Sequence, residues 1–153
     1  MDRMVITLQA QAGPDYLGKL AKLAGQGAPV LCAPQPPAVA TAQHLYPDRR
    51  IEVKTLYGEP QLDPHRPLYR LLGLWGWMLA PGPQDEASEM VRRRVIDTNI
   101  RLIQVAKEHG EATLVAGPLF LRLIAVKLNA IGYRGPLLSA PKAGESRVYE
   151  YQV

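Results

Sequence analysis

Short apolar runs alternate along this chain with longer stretches in which apolar residues recur at helical spacing. Residues 29–32 and 112–116 are almost continuously apolar, which is typical of strands buried on both faces of a parallel sheet. Strand and helix patterns follow one another in alternation from residue 5 to residue 54, and this order favours parallel pairing. We therefore expect a mainly parallel sheet built by residues 5–9, 29–32, 51–54 and 112–116.

Four stretches carry helical patterns. In the longest of them Val95, Leu102 and Ala106 recur at helical spacing, acidic side chains lie in the first turns, and Gly110 marks the end. Residues 146–153 instead alternate apolar and polar side chains, which predicts a last strand at an edge of the sheet. The chain is thus expected to form one three-layer α/β/α domain over residues 1–153. The predicted helices span residues 16–24, 38–45, 84–109 and 119–131.

A proline-rich excursion at residues 56–83 interrupts this pattern, with a short helix expected near residues 68–72. It contains an apolar run that includes Trp75, Trp77 and Met78. If the run is exposed, it is a candidate interface for a homodimer or a protein partner, because large aromatic side chains anchor interfaces. If it is buried, it fills space in the core or over a cleft instead.

Composition and charge narrow the function classes. The net charge of +4 is spread over both halves of the chain, so nucleic-acid binding rests only on the run of arginines at residues 92–94 and is not favoured. The single cysteine, Cys32, lies in an apolar run and is expected to be an inert buried thiol. Residues 1–4 do not resemble a signal peptide, and no apolar stretch approaches the ~20 residues of a membrane span. We expect a soluble cytoplasmic protein without a membrane partner.

Four short strings of residues follow the predicted strands or open the long helix. Residues 32–42 follow the second predicted strand, Leu56-Tyr57-Gly58-Glu59 follows the third, Glu86 opens the long helix eight residues before Arg94, and residues 114–122 end the fourth strand. In this order and spacing they resemble motifs of the histidine phosphatase superfamily, in its small phosphoglycerate-mutase-like form. The resemblance covers nearly the whole chain and implies the corresponding α/β/α fold.

The catalytic residues of that superfamily are missing at the positions that the resemblance implies. Its histidine nucleophile falls on Ala12 if Gln11-Ala12-Gly13 stands for the family's Arg-His-Gly, or on Ala10 if the alignment begins at Gln9. The second arginine falls on Pro37 and the second histidine on Gly117, while Glu86 remains at the proton-donor position. Phosphoryl transfer depends on positioning and on charge neutralisation, so this mechanism is lost with those groups.

The sequence therefore predicts a catalytically inactive relative that acts by binding a partner protein, itself or a small ligand. Gln9 and Gln11 are expected to line the emptied pocket with amide groups, beside the remnant acid Glu86. Two alternatives stay open at this point. One is a phosphatase-like hydrolase that uses Glu86 with groups foreign to the family, and the other is a weak nucleic-acid binder.

The remaining candidate residues favour structural roles. His44, His65 and His109 do not have the spacing of a metal site, so no metal or other cofactor is expected. Arg122 lies in the last predicted helix and is expected to be structural. Asp85 beside Glu86 is explained by the preference of acids for a helix N-terminus.

Overall fold

The computed structural model describes residues 3–23, 27–60, 86–137 and 141–152, and of residues 86–88 only the backbone. These residues contain five strands, four α-helices and a short 3-10 helix. The strands are β1 Arg3–Ala10, β2 Val30–Cys32, β3 Ile51–Val53, β4 Glu111–Ala116 and β5 Ser146–Gln152. The helices are α1 Pro14–Leu17, α2 Pro36–Leu45, α3 Glu86–His109 and α4 Pro118–Ala130, and the 3-10 helix is Thr55–Tyr57.

The five strands form one mixed sheet in the order β3-β2-β4-β1-β5. The pairs β1 with β4, β2 with β4 and β2 with β3 are parallel, whereas β5 runs antiparallel to β1 at the edge. This confirms the predicted α/β class, the mainly parallel sheet and the edge position of the last strand. The central strands are buried as their apolar pattern predicts, with Val30, Leu31 and Leu114 fully inaccessible.

Helix packing completes the core. The helix α3 packs against α4, β4 and β1, while α1 packs against α2. The largest buried apolar side chains include Phe120, Leu121, Ile124 and Leu128, all contributed by α4. Their burial explains why α4, although only 13 residues long, is apolar on most of its circumference.

The predicted helix over residues 16–24 is wrong, because α1 ends at Leu17. Beyond it the chain bonds to α2 instead of continuing its own helix. The Leu23 amide donates to the Leu45 carbonyl at 2.8 Å, and the His44 ring donates from Nε2 to the Leu20 carbonyl at 2.8 Å. Tertiary hydrogen bonds here outweigh a helical pattern of apolar residues.

Residues 61–85, which include most of the excursion, lie outside the described residues. The predicted helix near residues 68–72, the candidate interface residues Trp75, Trp77 and Met78, and the side chains of His65 and Asp85 therefore remain predictions. Within the described ranges, no helix combines the length and the apolar character needed to cross a membrane.

Candidate functional site

Three turns meet at the edge of the sheet where the parallel strands β1, β2 and β4 end. The Gln11 amide donates to the Ala116 carbonyl at 2.9 Å, and the Ala33 amide donates to the Val115 carbonyl at 2.9 Å. The turns that follow the three strands are therefore held side by side. Ligands of open α/β sheets bind at this edge, which makes it the candidate site.

A threonine hydroxyl ties the first turn to the start of α2. The Ala12 amide donates to Thr41 Oγ1 at 2.9 Å, and Thr41 Oγ1 lies 2.7 Å from the Pro37 carbonyl, which accepts its proton. The hydroxyl of Thr41 thus bridges the backbone of Ala12 and the backbone of Pro37. Both positions, which the sequence analysis aligned with missing catalytic groups, face the same part of the edge.

The N-terminus of α2 has no amide available for an anion. Its first two residues, Pro36 and Pro37, have no N–H. The next two amides, of Ala38 and Val39, both donate to the Gln35 carbonyl, at 3.0 and 3.1 Å. A helix N-terminus normally attracts anions through its free N–H groups, and in the first four residues of α2 those groups are deleted or used.

The N-terminus of α4 is closed by a side chain of the protein itself. Glu59 accepts from the Phe120 amide at 2.6 Å through Oε1 and from the Leu119 amide at 3.2 Å through Oε2. Pro118 has no N–H, and the Leu121 amide donates to the Gly117 carbonyl at 3.1 Å. The carboxylate of Glu59 therefore occupies the place that a phosphate takes at an open helix N-terminus.

Gly117 is required for this arrangement. Its φ of −73° is accessible to any residue, so conformation does not demand glycine here. Glycine is required for steric reasons, because a Cβ at this position would overlap the carboxylate of Glu59. The absence of a side chain at Gly117 thus makes room for Glu59.

Arg94 of α3 completes the surroundings of Glu59. Its guanidinium carbon lies 5.5 Å from the centroid of the Phe120 ring, and Nη1 donates to the Thr55 carbonyl at 3.2 Å. Burial raises the pKa of Glu59 above its ordinary value, although the amides of Phe120 and Leu119 and the charge of Arg94 counteract part of that rise. Glu59 is therefore a partly desolvated acid beside a cation.

An open groove of about 570 Å³ adjoins this pair. Apolar side chains form most of its wall, and Glu59 and Arg94 supply the charged groups. The groove is lined by Thr55, Leu56, Glu59, Pro60, Met90, Val91 and Arg94. Its chemistry suits a ligand with an apolar body and a polar end more than a small, highly charged anion.

The glutamines at this edge have different roles. Gln9 is buried and donates from Nε2 to the Gly144 carbonyl at 2.9 Å, so its amide holds the turn before β5 instead of presenting itself to a ligand. Gln11 and Gln35 each have a buried Oε1 that accepts no hydrogen bond. Of the two glutamines predicted to line the pocket with Glu86, Gln11 thus has a buried acceptor without a hydrogen-bond partner, directly after β1.

A second polar cluster is structural and lies beside the site. Arg101 of α3 donates to both carboxylate oxygens of Glu52, at 3.0 and 3.2 Å, and the Tyr57 hydroxyl donates to Oε2 at 2.8 Å. Burial raises the pKa of Glu52, but the hydrogen bonds from Arg101 and Tyr57 outweigh it, so the pKa lies below its ordinary value. This cluster fixes α3 against β3 and the 3-10 helix.

The other candidate residues from the sequence do not line the groove, or their side chains are not described. Glu86 is the first residue of α3, but its side chain is not described, so its role as the remnant acid stays a prediction. The ring of His44 bonds to Leu20, and His109 lies at the opposite end of α3 from the groove. Arg122 is buried in the core, where burial lowers its pKa. Cys32 is buried as expected, and burial raises the pKa of its thiol to about 12.

Sequence reasoning missed the roles of Glu59 and Arg94. Both residues lie in the strings that carry the family resemblance, but nothing in the spacing of 35 residues between them indicates that the two side chains line the same groove. The described ranges contain no group of three or more His, Cys, Asp or Glu side chains that could hold a metal ion.

Comparison with known proteins adds no relative. A scan against models of protein families matches none of them, and a search of curated proteins finds no significant match.

Proposed function

We propose that this protein is a catalytically inactive member of the histidine phosphatase superfamily that acts by binding. The observation that carries the proposal is the closure of both helix N-termini at the ligand-binding edge of the sheet. At α2 the prolines and Gln35 leave no free N–H in the first four residues, and at α4 the carboxylate of Glu59 takes the two amides available. A phosphoryl group would meet a carboxylate where it needs hydrogen-bond donors.

The positions of the family strings support this assignment. Ala12 comes two residues after β1, Pro37 lies in the first turn of α2, Gly58 and Glu59 follow the 3-10 helix after β3, and Gly117 follows β4. The nucleophile of the family follows the first strand, and β1 ends at Ala10. The alignment that places the lost nucleophile on Ala12 therefore fits better than the one that places it on Ala10, inside the strand. The packing of α1 with α2 and of α3 with α4 is compatible with the proposed three-layer fold of the superfamily.

The side chains that remain cannot support phosphoryl transfer by the mechanism of the family. A covalent route needs a side chain that can be phosphorylated, and Ala12 has none. Removing a single donor that stabilises the transition state typically costs about 2.7 to 4 kcal/mol of barrier, and here two arginines and a histidine are replaced together with the nucleophile. Glu59 adds a negative charge to the same place.

We propose the groove beside Glu59 and Arg94 as the binding site. Leu56, Met90 and Val91 offer apolar contact, and the guanidinium of Arg94 has donors in addition to the one that bonds to Thr55. A ligand with an apolar body and a hydrogen-bonding end fits this surface, whether it is a small molecule or a segment of a partner protein. The buried Cys32 is compatible with the reducing cytoplasm proposed from the sequence.

An activity assay tests the absence of catalysis. Purified protein is incubated with a phosphomonoester such as p-nitrophenyl phosphate and with a phosphohistidine peptide, and phosphate release is followed through purification. We expect no turnover that follows the protein. Turnover that persists in Glu59→Gln and Glu86→Gln would contradict the proposal, and turnover lost in either variant would support the hydrolase alternative instead.

Phosphate binding tests the closed helix termini directly. The amide resonances of Leu119 and Phe120 are followed by NMR while inorganic phosphate is added. We expect these resonances to stay in place in the wild type, because Glu59 holds both amides. A saturable shift at these two amides would show that the site still accepts phosphate and would remove the main support for inactivity.

A further inference from the structure

The guanidinium of Arg94 is held by contacts that leave one of its edges unused. Nη1 donates to the Thr55 carbonyl at 3.2 Å, and the guanidinium carbon lies 5.5 Å from the centroid of the Phe120 ring. Nε and Nη2 donate no hydrogen bond to the described residues, and neither is among the buried atoms that lack a partner there, so both reach solvent. The edge formed by Nε and Nη2 is therefore open to a ligand in the groove that Arg94 lines.

The carboxylate of Glu59 does not occupy this edge. Its two oxygens accept from the amides of Leu119 and Phe120, and none of the ion pairs between described residues joins Glu59 to Arg94. The positive end of the α4 dipole compensates the charge of Glu59 at those amides. Glu59 and Arg94 attract each other only over a longer distance, so direct pairing does not neutralise the charge of Arg94.

A carboxylate is the ligand group that fits this edge. The Nε–H and one Nη2–H of a guanidinium are parallel donors, and their separation matches that of the two oxygens of a carboxylate. An amide or an alcohol presents one oxygen and would leave one of these donors unpaired. A phosphate would bring a second negative charge into the surroundings of the Glu59 carboxylate, which opposes its binding. The polar end of the ligand is therefore expected to be a single carboxylate.

The walls of the groove indicate the rest of the ligand. Met90 is 64% exposed, while Leu56 and Val91 each pack against the core on one side and line the groove on the other. The volume of about 570 Å³ lies within the range of sites that bind small organic molecules. The lining residues belong to the 3-10 helix, to the segment after it and to α3, so the lining offers no strand edge to an extended peptide. A small molecule with an apolar tail suits these walls better than a peptide.

We propose that the groove binds a small monocarboxylate with an apolar tail. The carboxylate pairs with Nε and Nη2 of Arg94, and the tail lies along Leu56, Met90 and Val91. This inference rests on the proposed function, because it names the class of ligand that the inactive protein binds. It can nevertheless fail alone, since a ligand with a different polar end would leave the absence of catalysis untouched.

The first test compares ligands that share one tail. Isothermal titration calorimetry measures the binding of octanoate, octanamide and octyl phosphate to the full chain. We expect saturable binding of octanoate with a Kd of about 1 mM or lower, and an affinity at least about 10-fold lower for the other two. Acetate should also bind at least about 10-fold more weakly, because it lacks the tail. Octanamide or octyl phosphate binding as tightly as octanoate overturns the inference, and so does the absence of octanoate binding.

The second test locates the bound octanoate. Arg94→Gln should lower its affinity at least about 10-fold, and Arg94→Lys should lower it at least about 3-fold, because lysine keeps the charge but lacks the parallel donors. Arg93→Gln is the matched control, since it removes the same charge from an exposed neighbouring position and should leave the affinity unchanged. Met90→Glu should lower the affinity at least about 10-fold by placing a negative charge beside the tail.

The outcomes separate this inference from the proposed function. Urea unfolding of each variant checks that the fold is kept, and Met90→Glu changes a largely exposed side chain, so it tests the groove even if Arg94→Gln is unstable. Octanoate binding that survives both Arg94→Gln and Met90→Glu overturns the inference, because the ligand then lies elsewhere. Turnover of p-nitrophenyl phosphate would overturn the proposed function even if octanoate binds as expected.

Discussion

The N-termini of α2 and α4 lie at the same edge of the sheet and are both closed to anions, but by different means. In α2 two consecutive prolines remove the donors, and the Gln35 carbonyl takes the amides that remain. In α4 a single proline leaves Leu119 and Phe120 with free donors, and Glu59 reaches them from a segment 60 residues earlier in the chain. One terminus is closed by its local sequence and the other by a tertiary contact.

This difference determines how easily each terminus can be reopened. Closure by proline is built into the backbone, and one substitution restores one donor only. Closure by Glu59 depends on a single carboxylate, so one substitution frees two amides together with the positive end of the helix dipole. We therefore expect α4 to be the terminus that a single substitution can open to phosphate.

The largest effect is expected for Glu59→Ala. The variant leaves two amides of α4 without their acceptor, and loss of such a cap should lower the free energy of unfolding by about 2 kcal/mol. Inorganic phosphate should then stabilise the variant but not the wild type, because the freed amides can bind it. Urea unfolding with and without phosphate measures both effects. A variant that phosphate does not stabilise would show that the terminus is closed by more than Glu59.

The next largest effect is expected for Gly117→Ala. Its Cβ displaces the Glu59 carboxylate from the two amides, so the substitution should cost about 1 to 2 kcal/mol of unfolding free energy. In the Glu59→Ala background the same substitution should cost less than about 0.5 kcal/mol, because the obstacle is gone. A double-mutant cycle from urea unfolding gives this coupling. Equal costs in the two backgrounds would mean that Gly117 is needed for another reason.

The pH dependence of Glu59 should produce a smaller effect. Because burial raises its pKa in the folded state, the carboxyl contributes most to stability below its unfolded pKa, and that contribution is lost as the pH rises through the folded pKa. The difference in unfolding free energy between wild type and Glu59→Gln should therefore become less favourable to the wild type as the pH rises above the ordinary pKa of a glutamate. The opposite slope would mean that the two amides and Arg94 outweigh burial.

The smallest effect is expected for Pro37→Ala in α2. Proline is well suited to the first turn of a helix, and alanine there loses only part of the restriction on the unfolded chain. The unfolding free energy should change by less than about 0.5 kcal/mol, as measured in urea. A loss above about 1 kcal/mol would indicate that Pro37 makes packing contacts in addition to removing a donor.

The same contrast explains how far the sequence could be interpreted. The prolines of α2 and the apolar runs of β2 and β4 act locally, so the deleted donors and the parallel strands could be predicted from the residues themselves. The contact of Glu59 with α4 depends on how β3 and β4 are brought together in three dimensions. Neither the spacing nor the residue types between Gly58 and Leu119 contain that information.

The exposed face of α3 could not be predicted either, for another reason. The core-facing residues of α3, such as Val95 and Leu102, dominate the apolar pattern of the helix, and its isoleucines add to that pattern without changing its period. Only the observed exposure of Ile96 and Ile100 separates them from the core. The shortened α1 shows the converse case, because a regular pattern over residues 16–24 gave way to hydrogen bonds with α2.

The distance along the chain between Glu59 and α4 also has a consequence for the order of folding. Closing a loop of this length carries an entropic cost that is recovered only when β3, α3 and β4 have assembled. The first turn of α4 should thus be among the last parts of the helix to acquire protection from hydrogen exchange during refolding. Protection of this turn would then report the completion of the fold.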